Sequence, residues 1–132
     1  MTGDALATAF EALLTGFTVY KDKVPGTPSY PYVFVLTNFP NVTERAKSRD
    51  VHARQLRSRT TVVGLTSASV RIIAQKVSDK LEGKRPDVQG WRLGRIESEP
   101  NDQLILPDDD VVINGQHPLY QPFDWKLTGS RI

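Results

Sequence analysis

The sequence contains no cysteine. Disulfide bonds, a catalytic thiolate, and zinc or iron–sulfur sites built on cysteine are therefore excluded. It also has no apolar run near the ~20 residues that a membrane-spanning helix requires, so we expect no membrane partner. Neither a glycine-rich phosphate-binding loop nor a GxSxG nucleophile turn occurs.

The candidates for a general base are also few. His52 and His117 are the two histidines. His52 has basic neighbours and His117 precedes a proline in an expected loop, so we interpret both as surface residues. Because no nucleophile–base pair can be assembled, we expect no enzyme and no cofactor.

Charge of one sign is not in large excess, since 17 Lys and Arg stand against 15 Asp and Glu. A net charge of +2 is too small to indicate nucleic-acid binding by itself. The distribution is uneven, however: residues 44–59 hold six basic and two acidic residues, whereas residues 97–110 hold six acidic and no basic ones. This segregation fits either partners on different faces, including copies of the chain, or two unrelated solvated faces.

Two stretches have the period of a helix that buries one side. Residues 4–15 and 67–82 each carry apolar side chains every three or four positions. Thr66 or Ser67 stands at the N-cap position of the second helix, and Gly83 stands where that helix should end. We expect both helices to pack on one sheet.

Residues 32–65 predict a long β-hairpin. Residues 32–37 form the continuous β-branched and aromatic run of a buried strand, and residues 51–65 alternate as a second strand. The polar segment 38–50 is then the tip of the hairpin, although a functional loop that orders on binding is the alternative. Further strands are expected at residues 91–98, 104–106 and 120–128. With few helices between strands, the order predicts an α+β fold with a mostly antiparallel sheet, in a single domain spanning residues 1–132.

Three arginines interrupt this pattern. Arg54, Arg57 and Arg59 occupy the first half of the strand at 51–65, where a buried strand should be apolar. We expect this half to start outside the core, so that the hairpin projects and its arginines are solvated or packed on another molecule.

Three consecutive aspartates follow Pro107. Clustered carboxylates suit calcium or magnesium, but consecutive residues of an extended chain point alternately and the spaced ligands of a calcium loop are absent. We therefore expect no metal site here, and a solvated loop or an electrostatic contact instead. For a subunit interface or a pore-facing surface we name the following residues: Arg45, Lys47, Arg49, Arg54, Arg57, Arg59, Asp108, Asp109 and Asp110.

A set of short strings runs in order along nearly the whole chain. They are Val19-Tyr20 after the first helix, Tyr30-Pro31-Tyr32-Val33 after a proline-rich loop, Thr61-Val62-Val63-Gly64, Leu81-Glu82-Gly83, Gly90-Trp91-Arg92 and a closing strand at 120–127. With the order of elements, this set resembles the tail terminator (tail-completion) proteins of long-tailed bacteriophages. The segment 103–119 departs from the plain strand–loop–strand of that family.

The resemblance implies a small α+β subunit of a homohexameric ring. Such a ring caps the tail tube, stops its polymerisation and forms the head-joining surface. The implied partners are the tail tube protein, the head–tail connector or stopper protein, and genomic DNA passing through the lumen. The implied location is the head-proximal end of the virion tail, after assembly in the cytoplasm of the bacterial host.

Two alternatives remain open. One is a head-completion or connector protein of similar size. The other is a small nucleic-acid-binding α+β domain that uses the basic stretch 45–59, although no aromatic residue interleaves with its arginines to stack on bases.

Overall fold

The computed structural model describes residues 4–45, 51–100 and 103–131, and of residues 43–45 and 51–52 the backbone alone. Two helices and eight strands occur within this part of the chain. In order they are α1 (Asp4–Ala12), β1 (Thr18–Lys21), β2 (Tyr32–Thr37), β3 (Asn41–Arg45), β4 (Val51–Gly64), α2 (Ser67–Leu81), β5 (Trp91–Leu93), β6 (Glu97–Glu99), β7 (Leu106–Pro107) and β8 (Leu119–Arg131).

The sheet is organised around its two long strands. β4 and β8 pair antiparallel from Ala53↔Ser130 to Gly64↔Leu119. β2 and β3 lie one after the other along the free edge of β4, while β5, β6 and β7 follow one another along the free edge of β8. β1 adds to β2 in parallel. The α+β fold with a mostly antiparallel sheet is thus confirmed.

Both helices cover one face of the sheet, which we call the inner face. The alternation of β4 sends Leu56 and Val62 to this face, where they are fully buried. The helices and strands that meet there form one hydrophobic core. Its members are Leu6, Phe10, Leu14, Val33, Val35, Leu56, Val62, Val70, Ile73, Val77, Leu81, Trp91, Leu93, Ile96, Trp125 and Leu127.

Polar side chains on the inner face are paired with one another. Ser58 and Thr37 share a hydrogen bond of 3.0 Å between their hydroxyls, and Thr37 also donates to the Glu11 carboxylate at 2.7 Å. Thr60 accepts a hydrogen bond of 2.9 Å from the indole N–H of Trp125. These bonds satisfy groups that would otherwise be costly to bury.

The second helix begins and ends where the sequence predicts. Thr66 is its N-cap and forms a reciprocal capping box with Ser69. Gly83 follows the helix with a positive φ of 72°, a conformation that glycine adopts without a steric penalty. The first helix is shorter than expected and ends at Ala12.

The predicted hairpin is present, but its far half lies within the sheet. β2 pairs antiparallel with β4 from Tyr32↔Val63 to Thr37↔Ser58, as expected. Beyond that point β3 and β8 flank β4 on its two sides. The expectation that the arginine-containing half leaves the core is therefore wrong. Alternation places Arg57 and Arg59 on the face opposite the helices, so they need not disturb the core.

The chain after α2 also differs from the prediction. The single strand expected at 91–98 is two strands, because Gly94 bonds through its N–H to the Thr128 carbonyl and Ile96 turns inward to full burial. The strand expected at 104–106 is Leu106–Pro107, which pairs with β8. Asn114 and Gly115 form a turn, with positive φ at both residues and a bridge between Ile113 and Gln116.

Candidate interaction surface

The middle of the outer face, which is the sheet face opposite the helices, carries three ion pairs. Arg59 binds Asp124 with both arms of its guanidinium, at 2.8 Å and 3.2 Å. Arg57 donates to Glu99, and Lys126 lies 3.7 Å from Glu97. The strand register brings these groups together, since β8 places Asp124 beside Arg59 and β6 places its glutamates beside β8.

These pairs neutralise two of the arginines that the sequence analysis singled out. The hydrogen bond and charge of Asp124 raise the pKa of Arg59 above its usual value. Both arginines are exposed, and exposed pairs of this kind stabilise a fold by about 1 kcal/mol or less. The middle of the outer face is therefore charged but balanced, and its arginines already have partners in their own chain.

The other predicted basic residues are not brought together with this group. Arg54 lies on the inner side of β4, where it donates to the Pro40 carbonyl at 2.8 Å and stacks 5.0 Å from the Phe39 ring centre. Arg45 ends β3. Lys47 and Arg49 lie outside the described residues. The assignment of all these basic residues to an interface or a pore stays a prediction.

Tyrosines gather at one end of the outer face, a cluster that the sequence analysis missed. The Tyr20 and Tyr32 rings meet edge to face at 5.2 Å, and the Tyr30 ring lies 5.4 Å from that of Tyr32. Burial, followed by the nearby Tyr30, Asp108 and Tyr20, raises the pKa of Tyr32 to about 12. Burial and Asp108 likewise raise the pKa of Tyr30.

Asp108 belongs to this end. It lines a pocket of about 310 Å³ together with Tyr32, Phe34 and Tyr120. Its neighbours Asp109 and Asp110 lie in an exposed turn, where the N–H of Asp110 donates to the Asp108 carboxylate at 3.2 Å. The structure thus separates the three aspartates, one beside the tyrosines and two in solvent. We call this end, with its tyrosines and aspartates, the acidic–aromatic end.

The segment 103–118 adds exposed apolar side chains next to the acidic–aromatic end. Leu104 is 74% exposed and Val112 is 61% exposed. Within this segment, residues 111–117 form a tight turn held by the Ile113–Gln116 bridge and by a 2.6 Å contact between His117 Nδ1 and the Val111 carbonyl. These exposed apolar side chains are candidates for a contact with another protein.

A basic pocket of about 400 Å³ lies near the opposite end of β4 and β8. Arg85 and Arg92 line it together with Thr128 and Ser130. Sequence reasoning missed this pocket, although the four basic residues against one acidic residue in the stretch 84–95 are a signal for it.

In the three described ranges, His, Asp and Glu side chains form no group of three that could hold a metal ion. No described helix is long and apolar enough to cross a membrane.

Comparison with known proteins gives likeness at the level of structure. No family model matches the chain, and no curated protein matches it. A chain in the virion of a native gene transfer agent particle is 16% identical, with a TM-score of 0.56 over 98% of this chain and 92% of that one. A second solved protein, whose name describes no function, is also 16% identical, with a TM-score of 0.59 over 100% and 98%. At this identity the likeness establishes that the chain has a fold also found in a virion particle.

Proposed function

We propose that the chain is a structural virion-assembly protein of the tail terminator type. Its copies form a hexameric ring that caps the tail tube of a phage-like particle, stops tube polymerisation and offers the head-joining surface. The tail tube protein and the head–tail connector protein are its partners, and it acts without catalysis or a cofactor. The observation that carries the proposal is the shared fold, over 98% of this chain, with a chain of a virion particle.

The surface chemistry supports assembly with copies of the same chain. A ring is built on a heterologous interface, so two different and complementary patches must meet. The acidic–aromatic end supplies one patch, because Asp108, Asp109 and Asp110 form no ion pair with the described residues. Exposed Leu104 and Val112 beside it supply apolar area.

The basic patch on the next copy is proposed to come from basic residues named from the sequence other than Arg57 and Arg59. Arg57 and Arg59 already bind carboxylates of their own chain. Arg45, Lys47 and Arg49, named from the sequence, remain the proposed partners of the aspartates. Electrostatic complementarity of this kind fixes register and suppresses wrong contacts.

Native mass measurement tests the ring directly. We expect either a hexamer or a monomer that becomes a hexamer when purified tail tubes are added. The double variant Asp109→Lys/Asp110→Lys should prevent the hexamer, because its lysines would repel the basic patch of the next copy. Both side chains are exposed, so reversing their charge should leave the core intact. Asp79→Lys is the matched control, since Asp79 lies on the exposed side of α2, away from the acidic–aromatic end.

The outcomes are distinct. A chain that stays monomeric with tubes present, and leaves tube length unchanged, would overturn the proposed function. If the hexamer forms in both the double variant and the control, the proposed ring stands, but the aspartates do not contribute to its interface.

A further inference from the structure

The basic pocket is assembled from three separate parts of the chain, namely β4, the stretch 85–94 and the end of β8. β5 pairs with β8 so that Arg92 lies beside Ser130, and the Gly94 N–H donates to the Thr128 carbonyl at 2.9 Å. The loop after α2 contributes Arg85. The remaining lining residues are small or apolar, namely Ala53, Leu93, Gly94 and Gly129.

The two arginines of this pocket differ from those in the middle of the outer face. Arg85 and Arg92 are exposed and make no side-chain hydrogen bond or ion pair with the described residues. Among those residues no Asp or Glu lines the pocket. No carboxylate of the described side chains therefore compensates its positive charge, whereas Arg57 and Arg59 have carboxylate partners.

The donor set fits a phosphate group. Each guanidinium offers five N–H donors in a rigid fork that matches phosphate oxygens, and the hydroxyls of Thr128 and Ser130 can donate as well. The two guanidinium groups and the two hydroxyls can together bind both non-bridging oxygens of a phosphodiester. The small residues Ala53 and Gly94 leave room for such a group.

The residues around the pocket favour a phosphate group that is part of a nucleic-acid strand. Exposed Lys84 and Arg95 lie beside Arg85, since Arg95 donates to the Gly83 carbonyl at 2.9 Å and the Ile96 N–H donates to the Lys84 carbonyl at 2.8 Å. Such a group of basic residues matches the repeating charges of a nucleic-acid backbone, whose neutralisation releases counterions. No lining residue is aromatic, so bases have no stacking platform and recognition stops at the backbone.

We propose that the Arg85–Arg92 pocket binds a phosphodiester group of duplex DNA without regard to base sequence. The site is separate from the acidic–aromatic end, and it binds DNA whether or not the chain forms the ring proposed above. It also differs from the basic stretch 45–59, in which Arg57 and Arg59 are neutralised internally.

Fluorescence anisotropy with a labelled DNA duplex, at several salt concentrations, tests this site. We expect the full-length protein to bind, with an affinity that falls linearly with salt on logarithmic axes. Arg85→Ala and Arg92→Ala should each weaken binding equally for unrelated sequences and reduce the salt slope by about 1. Arg71→Ala, an exposed arginine of α2 on the other side of the sheet, is the matched control and should bind as the unaltered protein does.

Circular dichroism and native mass measurement keep the outcomes apart. Both pocket variants should retain the spectrum, the thermal midpoint and the oligomeric mass of the unaltered protein, because both side chains are exposed. Duplex binding that is absent at low salt, or equal in pocket variants and control, would overturn the site. A changed oligomeric mass with unchanged DNA binding would instead place the two arginines in a contact with a second copy and overturn the site.

The last experiment uses inorganic phosphate alone as the ligand. Phosphate binding that exceeds chloride binding at equal ionic strength, measured by titration calorimetry on a protein that binds no duplex, would show a free-phosphate site and contradict the proposal. Because the ring is scored by mass and this site by DNA binding, either proposal can fail while the other stands.

Discussion

Replacing Thr60 by valine removes the acceptor of one short buried hydrogen bond in the centre of the sheet, together with the long 3.5 Å donation of the Thr60 hydroxyl to the Phe123 carbonyl. Thr60 is fully buried, Trp125 is 3% exposed, and the indole N–H donates to the Thr60 hydroxyl at 2.9 Å. Valine has nearly the shape of threonine, so packing is kept while the acceptor is lost. The indole N–H is then buried without a partner, which costs about 1–3 kcal/mol.

The expected loss can be measured by thermal or urea unfolding. For a chain of 132 residues, each kcal/mol lowers the thermal midpoint by roughly 3–5 °C, between the values for smaller and larger domains. A loss of about 2 kcal/mol therefore predicts a midpoint lower by roughly 6–10 °C.

Thr61→Val is the matched control for this experiment. Its side chain points to the outer face, is half-buried and makes no hydrogen bond with the described residues. The same chemical change should then alter stability by less than about 0.5 kcal/mol. Equal stability losses at Thr60 and Thr61 would refute the reasoning, because the effect would then come from strand propensity and not from the indole. Thr60→Ser, which keeps the hydroxyl, should lose less than Thr60→Val.

Two further predictions concern the edge of the core and the tyrosines. Gly129→Ala should lower the free energy of unfolding by about 1–3 kcal/mol in urea, because a Cβ there would lie 2.5 Å from Cδ2 of Leu93; unchanged stability would mean that Leu93 moves aside freely. Tyr32 has a pKa of about 12 in the fold against its usual value of 10, so its contribution to stability is complete below pH 10 and is lost as pH rises towards 12. Tyr32→Phe should make the fall in unfolding free energy across that interval shallower, and an identical slope in both proteins would contradict the shift.

Much of the fold could be predicted from local sequence patterns. The second helix shows its period, its Thr66 cap and the glycine at its end within about twenty residues, and all three are local properties. The strands at 32–37 and 120–128 were found for the same reason, since alternation and β-branched runs are visible without knowledge of the partner strand. Boundaries were less accurate, as the early end of α1 at Ala12 shows.

Strand pairing could not be predicted in the same way. Alternation assigns Arg57 and Arg59 to one face, but it does not reveal which side chains lie opposite them. Their partners, Glu99 and Asp124, come from strands 42 and 65 residues away. Arginines that looked unsuited to a sheet therefore fit it well once the register with β6 and β8 is known.

The tyrosine cluster and the basic pocket were missed by sequence reasoning for the same reason. The tyrosine cluster needs the parallel register of β1 with β2, and the basic pocket needs β5 beside the end of β8. The sequence contains a signal for each of them, namely the tyrosines at 20, 30 and 32 and the basic stretch at 84–95. Without the sheet order, neither signal indicates which residues meet.

The outer face changes its charge along the length of β4. The pocket end lies near Ala53 and the acidic–aromatic end near Val63, ten residues and roughly 33 Å apart at the rise of an antiparallel strand. That distance is about four times the Debye length of ~8 Å at physiological salt, so the charges at the two ends do not cancel in solution. The ion pairs of Arg57 and Arg59 keep the middle neutral. A chain with a net charge of only +2 can thus present a positive and a negative site on one face, and bind partners of opposite charge at the same time.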